Sequence, residues 1–193
     1  MVKQKERIGL IGGGSWATAI AKMLMCNVDK INWQFRNNMQ VEQFQKYGHN
    51  PNYLQGVGFD TNRINFFIDI NELVAESDIL IFAIPSAFMK DAMSHLTKQL
   101  KNKIIVSAIK GLIPDENLII GSYFNAIHNV PFEQICVISG PCHAEEVALE
   151  RLSYLTISCQ NSATAEMFAS KVSSSFIKTV ISDDRSEERR VGK

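Results

Sequence analysis

Residues 8–24, IGLIGGGSWATAIAKML, restrict the fold of this chain more than any other stretch. The apolar start suits a buried strand, three consecutive glycines demand a turn, and from Ala17 onward small and apolar residues recur at helical spacing. Gly12-Gly13-Gly14-Ser15-Trp16-Ala17 fits the pattern G-x-G-x-x-G/A. In that pattern Gly12 permits the tight turn, Gly14 lets the backbone come close to a pyrophosphate, and Ala17 is small enough for the helix to lie against the strand. The helix N-terminus adds free N–H groups and the positive end of the helix dipole. A strand, this turn and a helix in succession are read as a dinucleotide-binding unit.

Such a unit usually carries a carboxylate about twenty residues further on, at the end of its second strand, to hold a ribose 2′-hydroxyl. That place reads Ile31-Asn32-Trp33-Gln34-Phe35-Arg36-Asn37 and holds no acid. Arg36 offers instead a guanidinium suited to stacking on adenine or pairing with a 2′-phosphate. The expected cofactor is NADP(H) or NAD(H), with the phosphorylated form accepted.

Short β-branched runs recur at residues 7–11, 31–35, 64–68, 79–83, 103–107, 134–138 and 154–158, most of them separated by helical periodicity. Alternating strand and helix implies a parallel sheet covered on both faces. The clearest helices are expected at 16–26, 87–100 and 163–173, with Pro85-Ser86 as the loop and cap before the second. The fold class is therefore α/β, a Rossmann-like, doubly wound and mostly parallel sheet. A length of 193 residues with 46% hydrophobic and 21% charged residues suits one buried core, placed here in a single domain over residues 1–184.

Lys plus Arg equals Asp plus Glu at 20 each, so no bulk field favours polyanions, and nucleic acid is not an expected partner. The apolar runs are far too short to span a bilayer and residues 1–7 carry no signal-peptide core, so no membrane is expected and the chain is placed in the cytoplasm. Cys26, Cys136, Cys142 and Cys159 lack metal-ligand spacing and are read as reduced thiols. No metal site is expected. The closing string RSEERRVGK resembles the in-frame translation of a common sequencing-adaptor oligonucleotide, and residues 185–193 are expected to be a non-native tail.

Four segments in order resemble one family: GGGSWATA, then Ala83-Ile84-Pro85-Ser86, then Ala108-Ile109-Lys110-Gly111-Leu112, then SGPCHAEEV from Ser139 to Val147. Over nearly all of residues 5–184 the chain is similar to bacterial NAD(P)-dependent glycerol-3-phosphate dehydrogenase. The resemblance implies reduction of dihydroxyacetone phosphate to sn-glycerol 3-phosphate with NAD(P)H, feeding phospholipid synthesis, in a full-length protein able to form a homodimer. It implies cofactor contacts at Gly12, Gly14, Ser15, Trp16, Arg36, Tyr53, Lys110 and Ala144. Lys110 would reach both nicotinamide and substrate, with Gly140 and Cys142 at substrate-side positions. Position 142 departs from the family's Ser or Thr, and a thiol is the weaker donor, so either backbone N–H groups carry the contact or substrate affinity is reduced.

Lys110 also stands on its own chemistry, because it ends an expected parallel strand at the edge where open α/β sheets bind ligands. A point charge there suits a phosphate, or a carbonyl oxygen that becomes an alkoxide during hydride transfer. His143 opens a helical segment and is read as a capping or surface residue, and Ser139 lacks the surroundings of a nucleophile. By resemblance, the proton-donating lysine and most phosphate ligands belong to an all-helical C-terminal domain that is expected to be absent here, leaving nucleotide binding with negligible turnover. The alternatives are another two-domain Rossmann reductase and a non-catalytic NAD(P)-binding module.

Overall fold

The computed structural model describes residues 6–114 and 116–183. The expected tail at 185–193 lies outside the described residues. Eight strands form the main sheet: β1 (Ile8–Ile11), β2 (Ile31–Gln34), β3 (Ile64–Phe67), β4 (Ile79–Phe82), β5 (Ile104–Ser107), β8 (Ile135–Ser139), β9 (Ser153–Ser158) and β10 (Ile177–Ser182). Their order is β10-β9-β8-β5-β4-β1-β2-β3. Two short strands, β6 (Leu112–Ile113) and β7 (Leu118–Ile119), make a separate antiparallel hairpin.

The strands alternate between two cores because successive side chains of a strand point to opposite faces. Ile8 and Leu10 of β1 join Ile79 and Ile81 of β4, Val106 of β5 and Cys136 and Ile138 of β8 in one core. Helices α1 (Ser15–Leu24), α2 (Asn38–Tyr47), α6 (Ala144–Ala148) and α7 (Ser162–Val172) contribute buried residues to it. Ile11, Leu80, Phe82, Ile105 and Ile135 point the other way, into a core shared with α3 (Ile70–Ala75), α4 (Met89–Met93) and α5 (Ile120–His128). The doubly wound α/β architecture follows directly from those two apolar faces. Each fully buried Leu, Ile or Phe contributes about 1.5–3 kcal/mol of transfer free energy.

Three sequence expectations are corrected. The helix expected at 87–100 is a 3-10 turn at Ser86–Phe88 followed by the five-residue α4. Beyond it, Asn71 Oδ1 accepts hydrogen bonds from the Thr97 N–H at 2.8 Å, the Lys98 N–H at 3.3 Å and the Thr97 hydroxyl at 3.1 Å. Those side-chain bonds tether the segment in place of a continued helical ladder. Second, β9 runs antiparallel to β8. The segment between them holds only the short α6, which packs on α1 and does not carry the chain back across the sheet. Third, β10, parallel to β9, and the β6–β7 hairpin were not among the expected strands.

Candidate functional site

The chain leaves β1 for β2 and β3 on one side and returns to β4 on the other, so the strand order reverses between β1 and β4. Open α/β sheets bind ligands at such a reversal, beyond the carboxyl ends of the strands. Gly12 sits there with φ 121°, and a Cβ on it would lie 2.5 Å from the Ala83 carbonyl oxygen that follows β4. Any side chain would therefore meet backbone as well as an unfavourable dihedral. Gly14 is the N-cap of α1, and a Cβ there would meet nothing within 4 Å. Its missing side chain leaves open space next to the helix end.

That helix end carries no side-chain cap. Asn37, Asp69 and Asn161 cap α2, α3 and α7 with side-chain oxygens, whereas α1 begins at Gly14 with no side-chain cap and no acid in its first turn. The first N–H groups of a helix have no partner within it, so α1 presents donors and positive potential into the space beside Gly14. A pyrophosphate fits such a cradle in charge and in hydrogen-bonding sense. Ser15 and Trp16, the first residues of α1, are half-buried at its rim.

Arg36 follows β2 and is exposed, with its guanidinium carbon 5.2 Å from the centroid of the Phe88 ring. Phe88 is itself 48% exposed and belongs to the turn after β4. Sequence reading named Arg36 and missed Phe88; the available signal was a large apolar residue three positions after Pro85. Tyr53 is exposed on the loop after α2, and its N–H donates to Asn50 Oδ1 at 3.2 Å. Asn50, also missed, is buried and ties that loop to the glycine turn by donating to the Gly13 carbonyl at 3.0 Å.

Lys110 lies three residues past β5 at the same edge, exposed and followed by Gly111 with φ 90°. Gly140 follows β8, which is parallel to β5, so it shares that edge. It has φ 137°, and a Cβ on it would come 2.5 Å from the Tyr154 carbonyl oxygen. The Cys142 thiol donates to that same oxygen at 2.8 Å, and burial pushes the thiol's pKa up. Cys142 thus presents its side chain to backbone, as a neutral donor. Ala144 opens α6 and is buried against the α1 side of the core. His143 is exposed and makes no side-chain cap to α6, while Glu145 and Glu146 occupy its first turn. Ser139 Oγ is buried with no hydrogen-bond partner among the described residues.

Cys26, Cys136, Cys142 and Cys159 form no disulfide among the described residues, and Cys136 and Cys159 are fully buried. Among the described residues there is no group of three or more His, Cys, Asp or Glu placed to hold a metal ion. No helix among them is long and apolar enough to cross a membrane.

The chain is 28% identical over 189 residues to a glycerol-3-phosphate dehydrogenase [NAD(P)+] of Limosilactobacillus reuteri, which covers 93% of this chain and 54% of that protein. It is 31% identical over 161 residues to the enzyme of the same name from Bacillus licheniformis, covering 81% of this chain and 45% of that one. The chain therefore spans about half the length of the curated relatives it matches. Among solved structures, glycerol-3-phosphate dehydrogenase from Coxiella burnetii superposes with a TM-score of 0.80 at 23% identity, over 94% of this chain and 55% of that one. An imine reductase from Aspergillus terreus superposes less well, at a TM-score of 0.63 and 14% identity, over 96% and 58%. The fold is shared by both, but the sequence match is specific. A family model described as NAD-dependent glycerol-3-phosphate dehydrogenase N-terminus matches residues 7–165, and the chain belongs to that family, carrying its N-terminal nucleotide-binding domain.

Proposed function

We propose that residues 1–184 form an NAD(P)(H)-binding domain and serve as the nucleotide-binding half of an enzyme that reduces dihydroxyacetone phosphate to sn-glycerol 3-phosphate in the cytoplasm. The observation that carries this reading is the convergence of Gly12, Gly14, Arg36, Lys110 and Gly140 beyond the ends of β1, β2, β5 and β8, which all run parallel. The Gly12–Gly14 turn and the start of α1, with Ser15 and Trp16, receive the pyrophosphate. Arg36 and Phe88 border the adenosine end, where the guanidinium pairs with a 2′-phosphate when one is present. Tyr53 and Ala144 complete the cofactor contacts.

The nicotinamide, when bound, supplies the hydride. Lys110 lies between the nicotinamide and substrate ends of the edge and places its charge against the carbonyl oxygen of the substrate, where negative charge grows as the alkoxide forms. The backbone at Gly140 and Cys142 lines the substrate side. With its thiol donated to Tyr154, Cys142 contacts the substrate through its N–H, which accounts for a Cys in a Ser or Thr position. The proton donor and most of the phosphate ligands belong to the second half of the full-length enzyme.

The test is fluorescence titration of the 193-residue protein with NADPH and NADH, followed by a steady-state assay with dihydroxyacetone phosphate. Saturable binding with no turnover is expected. No nucleotide binding by folded protein, or steady oxidation of NADPH with this substrate, refutes the corresponding half of the reading.

A further inference from the structure

The glycine turn meets its ligand through backbone, so the direction of each peptide group decides whether an anion faces N–H or oxygen. Three successive carbonyls of the turn are held by buried donors. The Gly12 oxygen accepts from Trp33 Nε1 at 2.7 Å, inside the protein, where Trp33 is fully buried on β2. The Gly13 oxygen accepts from Asn50 Nδ2 at 3.0 Å. The Gly14 oxygen accepts the first helical bond from the Thr18 N–H at 3.0 Å and a second from the Thr18 hydroxyl at 2.9 Å. Thr18 and Asn50 are themselves joined, Asn50 Nδ2 donating to Thr18 Oγ1 at 2.8 Å, and both are buried. Asn50 Oδ1 accepts from the N–H groups of Asn52 and Tyr53, so both ends of its amide are in use.

A trans peptide is planar and its N–H points opposite to its C=O. Fixing the oxygens of Gly12, Gly13 and Gly14 against buried donors therefore turns the N–H groups of Gly13, Gly14 and Ser15 to the other side, toward the open space beside Gly14. Glycine peptides flip readily because no Cβ opposes the alternative dihedrals. A flip at any of the three would put a carbonyl oxygen where a phosphate oxygen must sit, and would leave a buried donor unpaired.

We propose that Trp33, Asn50 and Thr18 are positioning residues of the nucleotide site: they hold the three glycine carbonyls away from the pyrophosphate, so that only N–H groups face it. The inference rests on the dinucleotide reading above and adds residues that touch no ligand themselves. Their influence is specific to the anionic part of the cofactor. Adenosine, which has no phosphate, does not depend on them.

The experiment compares dissociation constants for NADPH and for adenosine, the latter by competition, in the wild-type 193-residue protein and in Trp33→Phe, Thr18→Val and Thr18→Ser, with a circular dichroism melt of each. Trp33→Phe removes the donor to Gly12. Thr18→Val removes the hydroxyl that holds Gly14 and anchors Asn50, and Thr18→Ser keeps that hydroxyl. The expected result is about fivefold to tenfold weaker NADPH binding in Trp33→Phe and Thr18→Val, adenosine binding changed less than about twofold, and Thr18→Ser at wild-type affinity. Equal losses for both ligands, or unchanged NADPH binding in folded variants, overturns the proposal while leaving the dinucleotide reading intact. Wild-type protein that binds no NADPH overturns both. If Trp33→Phe does not fold, the contrast between Thr18→Val and Thr18→Ser still decides.

Discussion

Gly12 and Gly14 stand two residues apart in one turn, yet alanine at each is expected to damage different properties. At Gly12 the added Cβ lies 2.5 Å from the Ala83 carbonyl oxygen, and the Ile84 side chain is 3.0 Å away. The residue must also hold φ 121°, a conformation that costs an L-residue about 1–3 kcal/mol. The Ala83 backbone cannot give way without moving β4 from β1, whose ladder pairs Ile8 through Ile11 with Ile79 through Phe82. A total of about 3 kcal/mol is expected, which for a domain of this size lowers the melting temperature by about 6–12 °C. At Gly14 the added Cβ meets nothing within 4 Å and the dihedrals, φ −82° and ψ −177°, suit alanine. Loss of the N-cap preference costs at most about 1 kcal/mol. The methyl instead occupies the open space beside the start of α1 that is proposed to receive the pyrophosphate, so NADPH affinity is expected to fall at least about tenfold. Melts followed by circular dichroism and NADPH titrations on both variants are the assay. A Gly12→Ala protein that melts with the wild type refutes the packing argument, and a Gly14→Ala protein that binds NADPH undiminished refutes the cradle.

Arg36→Ala is expected to weaken NADPH about tenfold and NADH less than about threefold, because only the former offers a 2′-phosphate to the guanidinium; equal losses would make Arg36 a stacking residue alone. Phe88→Ala, read by the same titrations, is expected to weaken both cofactors alike, and a loss confined to NADPH would mean that Phe88 acts only by holding Arg36. At the far edge of the sheet, the hydrogen bond from the Arg7 side chain holds the Asp78 carboxyl below its usual pKa, its Oδ1 lying 3.2 Å from Arg7 Nη2. A carboxylate whose folded pKa is depressed stabilises the fold above its unfolded value near 3.9 and loses that contribution as pH falls through the folded value. The pair is half-exposed, so Asp78→Asn is expected to cost no more than about 1 kcal/mol at pH 7. Urea denaturation at pH 7 and at pH 2.5 checks the sign: a gap between wild type and variant that persists at the lower pH contradicts it.

Where local pattern and tertiary demand agree, the residues announce the fold plainly. The apolar runs that became β1, β4 and β5 are buried on both faces of the sheet and have no need of polar alternation, so they read as unbroken strands. The glycine turn is legible for a similar reason, since its dihedral and its close approach to β4 leave no other residue type at Gly12. The segment after Pro85 misleads because its apolar spacing is helical, while its fate past α4 is decided by Asn71, a side chain distant in sequence that takes the backbone donors of Thr97 and Lys98. Strand direction at β9 is equally hidden, because the same β-branched run serves either orientation. At the candidate site, the exposed charged residues proposed to face a ligand, Arg36 and Lys110, carry recognisable chemistry. Residues that act from beneath, such as Asn50 and Trp33, resemble ordinary core or loop positions until their hydrogen bonds are seen.

The reversal at β9 shapes the turn after β8, where the proposed substrate side lies. Because β9 runs antiparallel to β8, its first residues lie at the same edge as the end of β8, with Ser139 opposite Thr156. The Tyr154 carbonyl therefore meets the turn that follows β8 twice, against the bare Cα of Gly140 and as acceptor for the Cys142 thiol. A parallel β9 would have placed its beginning at the opposite edge and left that turn with no such wall. One backbone oxygen thus fixes both Gly140 and Cys142, the positions proposed for the substrate side, and what position 142 must supply to it is a donor of modest size. A thiol meets that requirement, as a hydroxyl would, so the side chain at position 142 is engaged in the inward-facing bond, and under the proposed function it is the backbone of this turn that is offered to a substrate.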